Sequence, residues 1–249
     1  MTEPSSNLSI VFLVVGRELG RFFRTWLGYV VMAMLLTITG LLYNAFSVGS
    51  TAKYSADVLG SFFEVASGTT MIAALFLSMR SIAEETQTGT YALLASSPLT
   101  EGQIVLAKWL AAYAMLVIYL ACTLYMPLLV FVNGSVTLGH IAAGYLGLLA
   151  LGAASTAIGI FGSAVARSQL LAIIVSSVTL VVLLILWLLA RQVDGPLGEV
   201  VSWMALWHKH FRPFMDGTLA TPHLVFYISV TVFFSVLARN VLERRRWRS

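Results

Sequence analysis

The sequence has little charge. Asp, Glu, Lys and Arg together make up 10% of its 249 residues, whereas hydrophobic residues make up 59%. A soluble domain carries roughly 25% charged residues, and a chain with so few cannot cover a surface that faces water. Most of its outer surface is therefore expected to face lipid. The formal net charge of +4 fits anionic lipid headgroups better than nucleic acid, because the basic residues cluster beside apolar segments.

Motifs for catalysis and metal binding are also missing. The single cysteine, Cys122, lies within an apolar run, which excludes an internal disulfide and a cysteine-based metal framework. The sequence contains no G-x-x-x-x-G-K-[ST] phosphate loop and no H-E-x-x-H motif, so neither nucleotide hydrolysis nor zinc-dependent proteolysis is predicted for it. We expect no catalytic residue, no metal site and no cofactor in this chain.

Six long apolar runs dominate the sequence, each compatible with the roughly 20 residues that cross the hydrocarbon core of a bilayer. The third and fourth runs are longer, so we expect them to tilt, kink or protrude, with Pro127 as a kink in the third. Thr100 and Gln103 have the spacing of a capping box that starts the third span. The predicted fold is all-α and integral to the membrane, with one transmembrane domain over residues 1–249. The predicted spans are about 27–47, 60–79, 104–132, 138–166, 170–190 and 221–238.

Residues 8–26 precede the first span and have the pattern of an amphipathic helix. Arg17, Arg21 and Arg24 lie on one side, and apolar residues spaced by three or four lie on the other. Such a helix is expected to lie in the membrane interface rather than to cross it. The alternative is a continuous extension of the first span. The apolar positions are Leu8, Val11, Phe12, Val15, Leu19, Phe22, Phe23 and Trp26.

The distribution of Lys and Arg predicts the orientation. Basic residues near the ends of spans favour the cytoplasmic side. If both termini are cytoplasmic, only four of the 15 basic residues fall on the outer side. We therefore expect a multi-pass protein of the bacterial inner membrane with both termini in the cytoplasm. The four outer residues are Lys53, Arg191, Lys209 and Arg212.

The cytoplasmic connection 80–103 contains clear helix signals. The second span is expected to continue through Glu84 and Glu85 until Gly89, a residue suited to the left-handed position after a helix. Thr90 can then cap a short helix over about 90–97, which Ser97-Pro98 ends. This helix carries Leu93 and Leu94 with no lipid to bury them, so it is expected to bind a groove on a partner. The alternative is a solvated loop with ordinary caps. The residues of interest are Glu84, Glu85, Gly89, Thr90, Leu93, Leu94 and Pro98.

Residues 191–220 form the long outer connection. Aromatic residues with polar neighbours suit the headgroup layer, so we expect a re-entrant or interfacial segment of short helices that caps a path across the membrane. His208 and His210, with methionines nearby, raise copper binding as an alternative. Without cysteines or a carboxylate cluster, the sequence favours the aromatic cap. The predicted cap residues are Trp203, Trp207, His210, Phe211 and Phe214.

Small residues recur at intervals of three or four along the fourth span, which lets another helix approach closely. This row is expected to be either a packing face within the chain or a seam between two copies. Ionisable residues inside spans are functional candidates. Glu64, near the outer end of the second span, is expected to be hydrated, and Lys108 is expected to extend its charge to the inner headgroups. The row comprises Gly152, Ser155, Gly159 and Ser163.

Three groups of motifs resemble those of ABC-2 type permeases. The first comprises Met79-Arg80, Ala83-Glu84-Glu85, Gly89-Thr90, Leu93-Leu94, Ser97-Pro98, Ile104-Val105 and Lys108. The second comprises Ile158-Gly159, Ser163 and Gln169, and the third His210-Phe211, Phe214, Gly217, Arg239, Leu242-Glu243 and Arg245-Arg246-Trp247. The third group is most similar to permeases associated with gliding motility and with maturation of the copper enzyme nitrous oxide reductase.

The resemblance implies a half-transporter of the type V exporter kind that pairs with a second permease copy, as a homodimer or a heterodimer. It implies cytoplasmic ABC ATPase subunits that bind ATP and Mg²⁺, and a coupling helix seated in each of them. A periplasmic partner is a further expectation. In this chain the coupling role falls on Glu84, Glu85, Gly89, Thr90, Leu93, Leu94 and Pro98.

Two other functions are open from the sequence. A membrane scaffold or assembly factor would use the same fold. A secondary carrier would need mid-membrane charges and internal repeats, neither of which is evident. No charge pattern in the spans indicates a substrate.

Overall fold

The structure is a computed structural model that describes residues 7–48, 54–90, 99–192 and 195–246. Within these ranges all regular secondary structure is helical, which confirms the all-α prediction. A π-helical turn, Tyr43–Val48, continues α2. The helices are α1 (Asn7–Arg24), α2 (Trp26–Leu42), α3 (Ser55–Ser78), α4 (Ala83–Gln87), α5 (Glu101–Thr123), α6 (Tyr125–Asn133), α7 (Leu138–Val165), α8 (Gln169–Ala190), α9 (Pro196–Met204), α10 (Arg212–Met215) and α11 (Thr221–Arg246).

Six candidate membrane spans are present in the described part of the chain, as the sequence predicts. α2 forms the first span, α3 with α4 the second, and α5 with α6 the third, while α7, α8 and α11 form the fourth to sixth. α3 and α7 are mostly buried and form the centre of the bundle. The bounds are Gly28–Ser47, Ser55–Gln87, Glu101–Val132, Leu138–Val165, Gln169–Ala190 and Thr221–Arg246.

α1 is a separate helix and does not extend the first span in a straight line. The chain bends at Thr25, whose backbone is extended (φ −99°, ψ 130°). Just after the bend, Gly28 approaches the carbonyl oxygen of Phe22 so closely that a side chain at position 28 would overlap it. Val11 is buried against the bundle, whereas Phe12 is exposed. α1 therefore packs one face on the spans and leaves other apolar side chains exposed, and its place in the membrane interface stays a prediction.

The third span begins and breaks where the sequence predicts. Thr100 and Gln103 form both hydrogen bonds of a capping box at the start of α5. Pro127 has no N–H group, and its ring conflicts with the carbonyl group of Thr123, four residues earlier. α5 accordingly ends at Thr123 and α6 begins at Tyr125.

The second span reaches Gln87, close to the predicted end at Gly89, but it is interrupted by a turn that the sequence analysis does not predict. A turn over residues 79–82 separates α3 from α4. The hydroxyl oxygen of Ser163, on α7, accepts hydrogen bonds from the N–H groups of Ile82 at 3.0 Å and Ala83 at 2.9 Å. The same hydroxyl donates to the carbonyl oxygen of Met79 at 3.0 Å. A side chain from another helix thus supplies the partners that a continuous helix would supply itself.

The row of small residues on α7 is used inside the chain. The backbone of Gly159 lies against Ser78 of α3, and a Cβ atom at Gly152 would lie only 2.5 Å from a leucine of α5. Ser155 and Ser163 are completely buried. The alternative of a seam between two copies is therefore wrong for this row, because a second copy cannot reach it. The row again comprises Gly152, Ser155, Gly159 and Ser163.

Candidate coupling site

Lys108 lies in the second turn of α5, and its side chain is only 1% exposed. Its Nζ atom donates a hydrogen bond to Glu18 Oε1 on α1 at 3.1 Å and to Glu85 Oε1 on α4 at 2.5 Å. Burying an ammonium group is costly unless it is paired, and the two carboxylates supply the pairing. The prediction that this charge extends to the headgroups is therefore wrong, because Lys108 points into the protein and joins three helices.

Further ion pairs surround Lys108. Glu84, the neighbour of Glu85 on α4, pairs with Arg21 of α1 at 2.7 Å and with Arg80 at 2.9 Å. Glu18 also lies 3.9 Å from Arg21. Within the described residues, Glu85 Oε2 is buried without a hydrogen-bond partner. We refer to these six residues as the charged cluster: Glu18, Arg21, Arg80, Glu84, Glu85 and Lys108.

The last turn of α11 also holds α4. Arg245 Nη1 donates to Thr86 Oγ1 at 3.2 Å. Its Nη2 atom donates to the carbonyl oxygens of Val165 at 2.8 Å and Ala166 at 3.1 Å, at the end of α7. A helix of five residues is not stable alone, so α4 depends on these contacts and on those from α1, α5 and Ser163 of α7. We call this end of the bundle the charged end.

Four of the seven predicted coupling residues belong to the described part of the chain. Glu84 and Glu85 are members of the charged cluster. Gly89 follows α4 with φ 74°, the left-handed conformation that the sequence predicts there, and Thr90 is exposed. The remaining predicted residues, Leu93, Leu94 and Pro98, and nearly all of the predicted helix over about 90–97 lie outside the described residues.

Of the six cluster members, the sequence predicts only Glu84 and Glu85 as site residues; it does not single out Glu18, and it assigns Lys108 to the headgroups. Glu18 and Lys108 both have a signal in the residue spacing. Lys108 lies four residues after Ile104 and three before Ala111, which are buried, so helical periodicity places it on the core face of α5. Glu18 lies seven residues after Val11 and four before Phe22, on the apolar side of α1. A charge on an apolar face predicts a buried partner on another helix.

The opposite end of the bundle, which we call the capped end, is closed by α9, α10 and the connections around them. Trp207 Nε1 donates to Ser67 Oγ on α3 at 2.8 Å, and the Tyr227 hydroxyl donates to the carbonyl oxygen of Leu206 at 2.9 Å. Phe211 and Phe214 are completely buried. Phe214 packs where Gly147 of α7 leaves space, since a Cβ atom at Gly147 would lie 2.6 Å from it. Two short helices, α9 and α10, lie in this segment, and its re-entrant or interfacial position stays a prediction.

His210 is the polar centre of the capped end. Its side chain is buried, and its Nε2 atom donates to the carbonyl oxygen of Trp203 at 2.9 Å. Its Nδ1 atom lies 3.0 Å from Nδ1 of His223 and therefore accepts a hydrogen bond when both rings are neutral. Burial lowers the pKa of His210, and the nearby His223 and Lys209 lower it further. Among the described residues no group of three or more His, Cys, Asp or Glu side chains could hold a metal ion.

Comparison with known proteins agrees with this architecture. Residues 14–198 match the family described as ABC-2 family transporter protein. No curated protein matches the chain. The family match does not support the narrower resemblance to permeases of gliding motility or of nitrous oxide reductase maturation. With six apolar helices long enough to span a membrane and a family match over most of its length, the chain is a multi-pass membrane protein that belongs to the ABC-2 family of transporter proteins.

Proposed function

We propose that this chain is the permease subunit of an ATP-driven ABC-2 exporter, in which α4 and the residues after it receive the movement of a separate ATPase. The observation that carries the proposal is the way in which α4 is held. Arg21 of α1, Lys108 of α5 and Arg245 of α11 contact its side chains, while Ser163 of α7 binds its first N–H group. A displacement of α4 therefore acts on four other helices.

The buried ion pairs make this connection stiff. Removing one partner of a buried pair costs about 3–5 kcal/mol, so a displacement of α4 is transmitted more easily by moving α1 and α5 with it than by separating Glu85 from Lys108. An exposed ion pair, which is worth about 0–1 kcal/mol, would break instead. The burial of Lys108, which is 1% exposed, thus favours transmission over local relaxation.

The predicted coupling helix over about 90–97 directly follows α4 in the chain. Gly89, with φ 74°, turns the backbone away from α4, and Leu93 and Leu94 would occupy an apolar groove of the ATPase. The permease is a transport component and is not itself catalytic. The sequence contains no phosphate loop, and the proposal assigns ATP and Mg²⁺ to the partner subunit.

The proposal places the charged end in the cytoplasm of a bacterium, with both termini on that side of the inner membrane. The asymmetry of Lys and Arg supports this orientation, because the arginines of α1 and of the last two turns of α11 lie at the charged end. The capped end then faces the periplasm. There its exposed residues, such as Trp203, which is 43% exposed, are available to a periplasmic partner.

A complete transporter requires a second permease copy, identical or related. Because the small-residue row of α7 is buried, the seam between the two copies must use another face of the bundle. Export of a substrate and mechanical signalling to a periplasmic partner are both compatible with the coupling that we propose. A role in gliding motility or in the maturation of a copper enzyme is a narrower prediction that rests on the sequence resemblance.

Co-purification tests the proposal. The chain, tagged at its C-terminus, is solubilised gently and purified from its native membrane, and the co-purifying proteins and the rate of ATP hydrolysis are measured. We expect a stoichiometric partner with a phosphate loop. Leu94→Glu should remove this partner and the ATPase activity, since a charge cannot enter an apolar groove. The matched control is Leu219→Glu, which changes an exposed leucine (59%) at the capped end and should retain both.

The opposite result would contradict the proposal. If the wild-type chain purifies as a stable protein without any ATPase, or if Leu94→Glu retains as much partner as Leu219→Glu does, coupling through this segment is wrong. A scaffold or a secondary carrier would then be the better interpretation.

A further inference from the structure

An open groove runs along the surface between α5 and α11, beginning at the charged end. It has a volume of about 470 Å³ and is lined mainly by apolar side chains. Trp109 forms part of its floor. The indole Nε1 atom is satisfied by a hydrogen bond to the carbonyl oxygen of Ala153 at 3.2 Å, so the ring presents its apolar surface to the groove. Leu106 and Val232, at the rims, are 44% and 56% exposed.

The length of the groove corresponds to one leaflet of a bilayer. On α11 it extends from Ile228 to Arg239, which at 1.5 Å per residue is about 16 Å. The hydrocarbon core of a bilayer is about 30 Å thick, so the groove covers about half of it. Both helices are candidate membrane spans, and the groove is open sideways, where lipid would lie.

A cationic side chain stands at the mouth of the groove. Arg239 lines it beside Gly102, where a Cβ atom would lie at the ordinary contact distance of 3.6 Å from Arg239 Cδ. Arg239 Nε donates to Glu243 at 2.6 Å. Within the described part of the chain this guanidinium makes no other hydrogen bond, so its two terminal nitrogens can bind a phosphate group.

The surroundings of the mouth are positively charged. The end of α11 carries four arginines and one glutamate between residues 239 and 246, and Glu101 of α5 pairs with Arg246 at 2.6 Å. These six charges leave an excess of two positive charges. Basic pockets between spans at a membrane surface are typical sites for anionic lipid headgroups.

We infer that the groove is a binding site for one anionic phospholipid of the surrounding bilayer. An acyl chain lies along Trp109 between α5 and α11, and the phosphate group is bound by Arg239. The cationic mouth and the length of about one leaflet fit a phospholipid better than an apolar helix of a second copy. The assignment does not depend on an ATPase partner.

Photochemical cross-linking tests this site. The full chain is reconstituted into phosphatidylcholine vesicles that contain a small fraction of phosphatidylglycerol with a diazirine on one acyl chain. After illumination, the labelled peptides are identified by mass spectrometry. We expect adducts to concentrate in residues 102–109 and 228–239. Unlabelled phosphatidylglycerol should compete for these positions, and unlabelled phosphatidylcholine should compete several-fold less.

Two pairs of variants distinguish the site from ordinary lipid contact. Ser235→Phe fills the groove and should reduce labelling there several-fold, whereas Ser229→Phe, an exposed position of the same helix outside the groove, should not. Arg239→Gln should abolish the preference for phosphatidylglycerol, whereas Arg244→Gln should retain it. Each variant must elute from gel filtration as the wild type does. If Ser235→Phe does not, Gly102→Leu blocks the mouth instead.

Three results would overturn the inference. The first is equal labelling of all lipid-facing surfaces, and the second is unchanged labelling in the groove-filling variant that elutes as the wild type does. The third is an efficient covalent dimer through Val232→Cys in a Cys122→Ala background in native membranes, which would show that a second copy covers the groove.

Discussion

Replacing Lys108 by methionine tests whether the charged cluster stabilises the fold as a buried ion-pair network or only as a set of surface ion pairs. Methionine preserves most of the length and volume of the side chain but removes the charge. Glu18 and Glu85 then lose their contacts of 3.1 Å and 2.5 Å with Nζ. Their side chains are only 9% and 10% exposed, so water replaces the ammonium group only in part. A largely buried carboxylate that has lost its cationic partner is costly.

The expected loss of stability follows from leaving these carboxylates without a cationic partner. Arg21 can compensate Glu18 in part, since it lies 3.9 Å away. We therefore expect Lys108→Met to lower the free energy of unfolding by about 3–5 kcal/mol, the range for a broken buried pair.

Unfolding of the purified protein by denaturant, followed by tryptophan fluorescence in detergent micelles, measures this loss. Adding Glu85→Gln to Lys108→Met should recover part of the stability, with a coupling energy of about 0.5–3 kcal/mol between the two sites. The matched control is Glu243→Gln, which removes an exposed pair with Arg239 on one helix and should cost only about 0.3–0.5 kcal/mol. A loss for Lys108→Met no larger than that of the control would refute the reasoning.

Three further predictions concern backbone packing and protonation. Gly159→Ala places a Cβ atom against Ser78 and should lower the free energy of unfolding, measured with denaturant, by about 1–3 kcal/mol. The control Gly68→Ala, with open space around it, should be neutral or stabilise α3 by about 0.5–1 kcal/mol. Gly89→Ala forces a side chain onto φ 74°, which should cost about 1–2 kcal/mol of local strain and raise amide hydrogen exchange in α4. Burial lowers the pKa of His210, so the unfolded chain binds more protons than the folded one. Thermal stability should therefore fall as the pH drops below about 6.5 toward the folded pKa. His210→Phe should flatten this pH dependence, and an unchanged slope in the variant would contradict the prediction.

The number of spans, the capping box and the break in the third span could be predicted because each depends on residues close together in the sequence. A run of about 20 apolar residues needs a bilayer whatever its neighbours are. Thr100 and Gln103 cap their own helix, and Pro127 conflicts with a carbonyl group four residues before it. Such local effects determine these features without contacts from distant parts of the chain.

The charged cluster could not be predicted in the same way, because its partners are distant in sequence. Lys108 is 90 residues from Glu18 and 23 from Glu85, and the choice between headgroups and interior depends on where α1 packs. The hydroxyl group of Ser163 binds the carbonyl group of Met79 at the end of α3, 84 residues earlier in the sequence. From the sequence, Ser163 was likewise identified only as a small residue on a packing face. A charge on an apolar helix face was the available signal, and it indicates burial without naming the partner.

The sixth span touches both ends of the bundle with one uninterrupted helix. Near its start the Tyr227 hydroxyl binds the carbonyl oxygen of Leu206 at 2.9 Å, and in its last turn Arg245 binds Thr86 at 3.2 Å. The helix contains 26 residues, which makes it about 39 Å long. If this helix rotates as a rigid body, a tilt of about 10° displaces one end by about 7 Å relative to the other. Small rotations imposed near α4 would thus move the residues at the capped end by several ångströms, without any helix having to unfold.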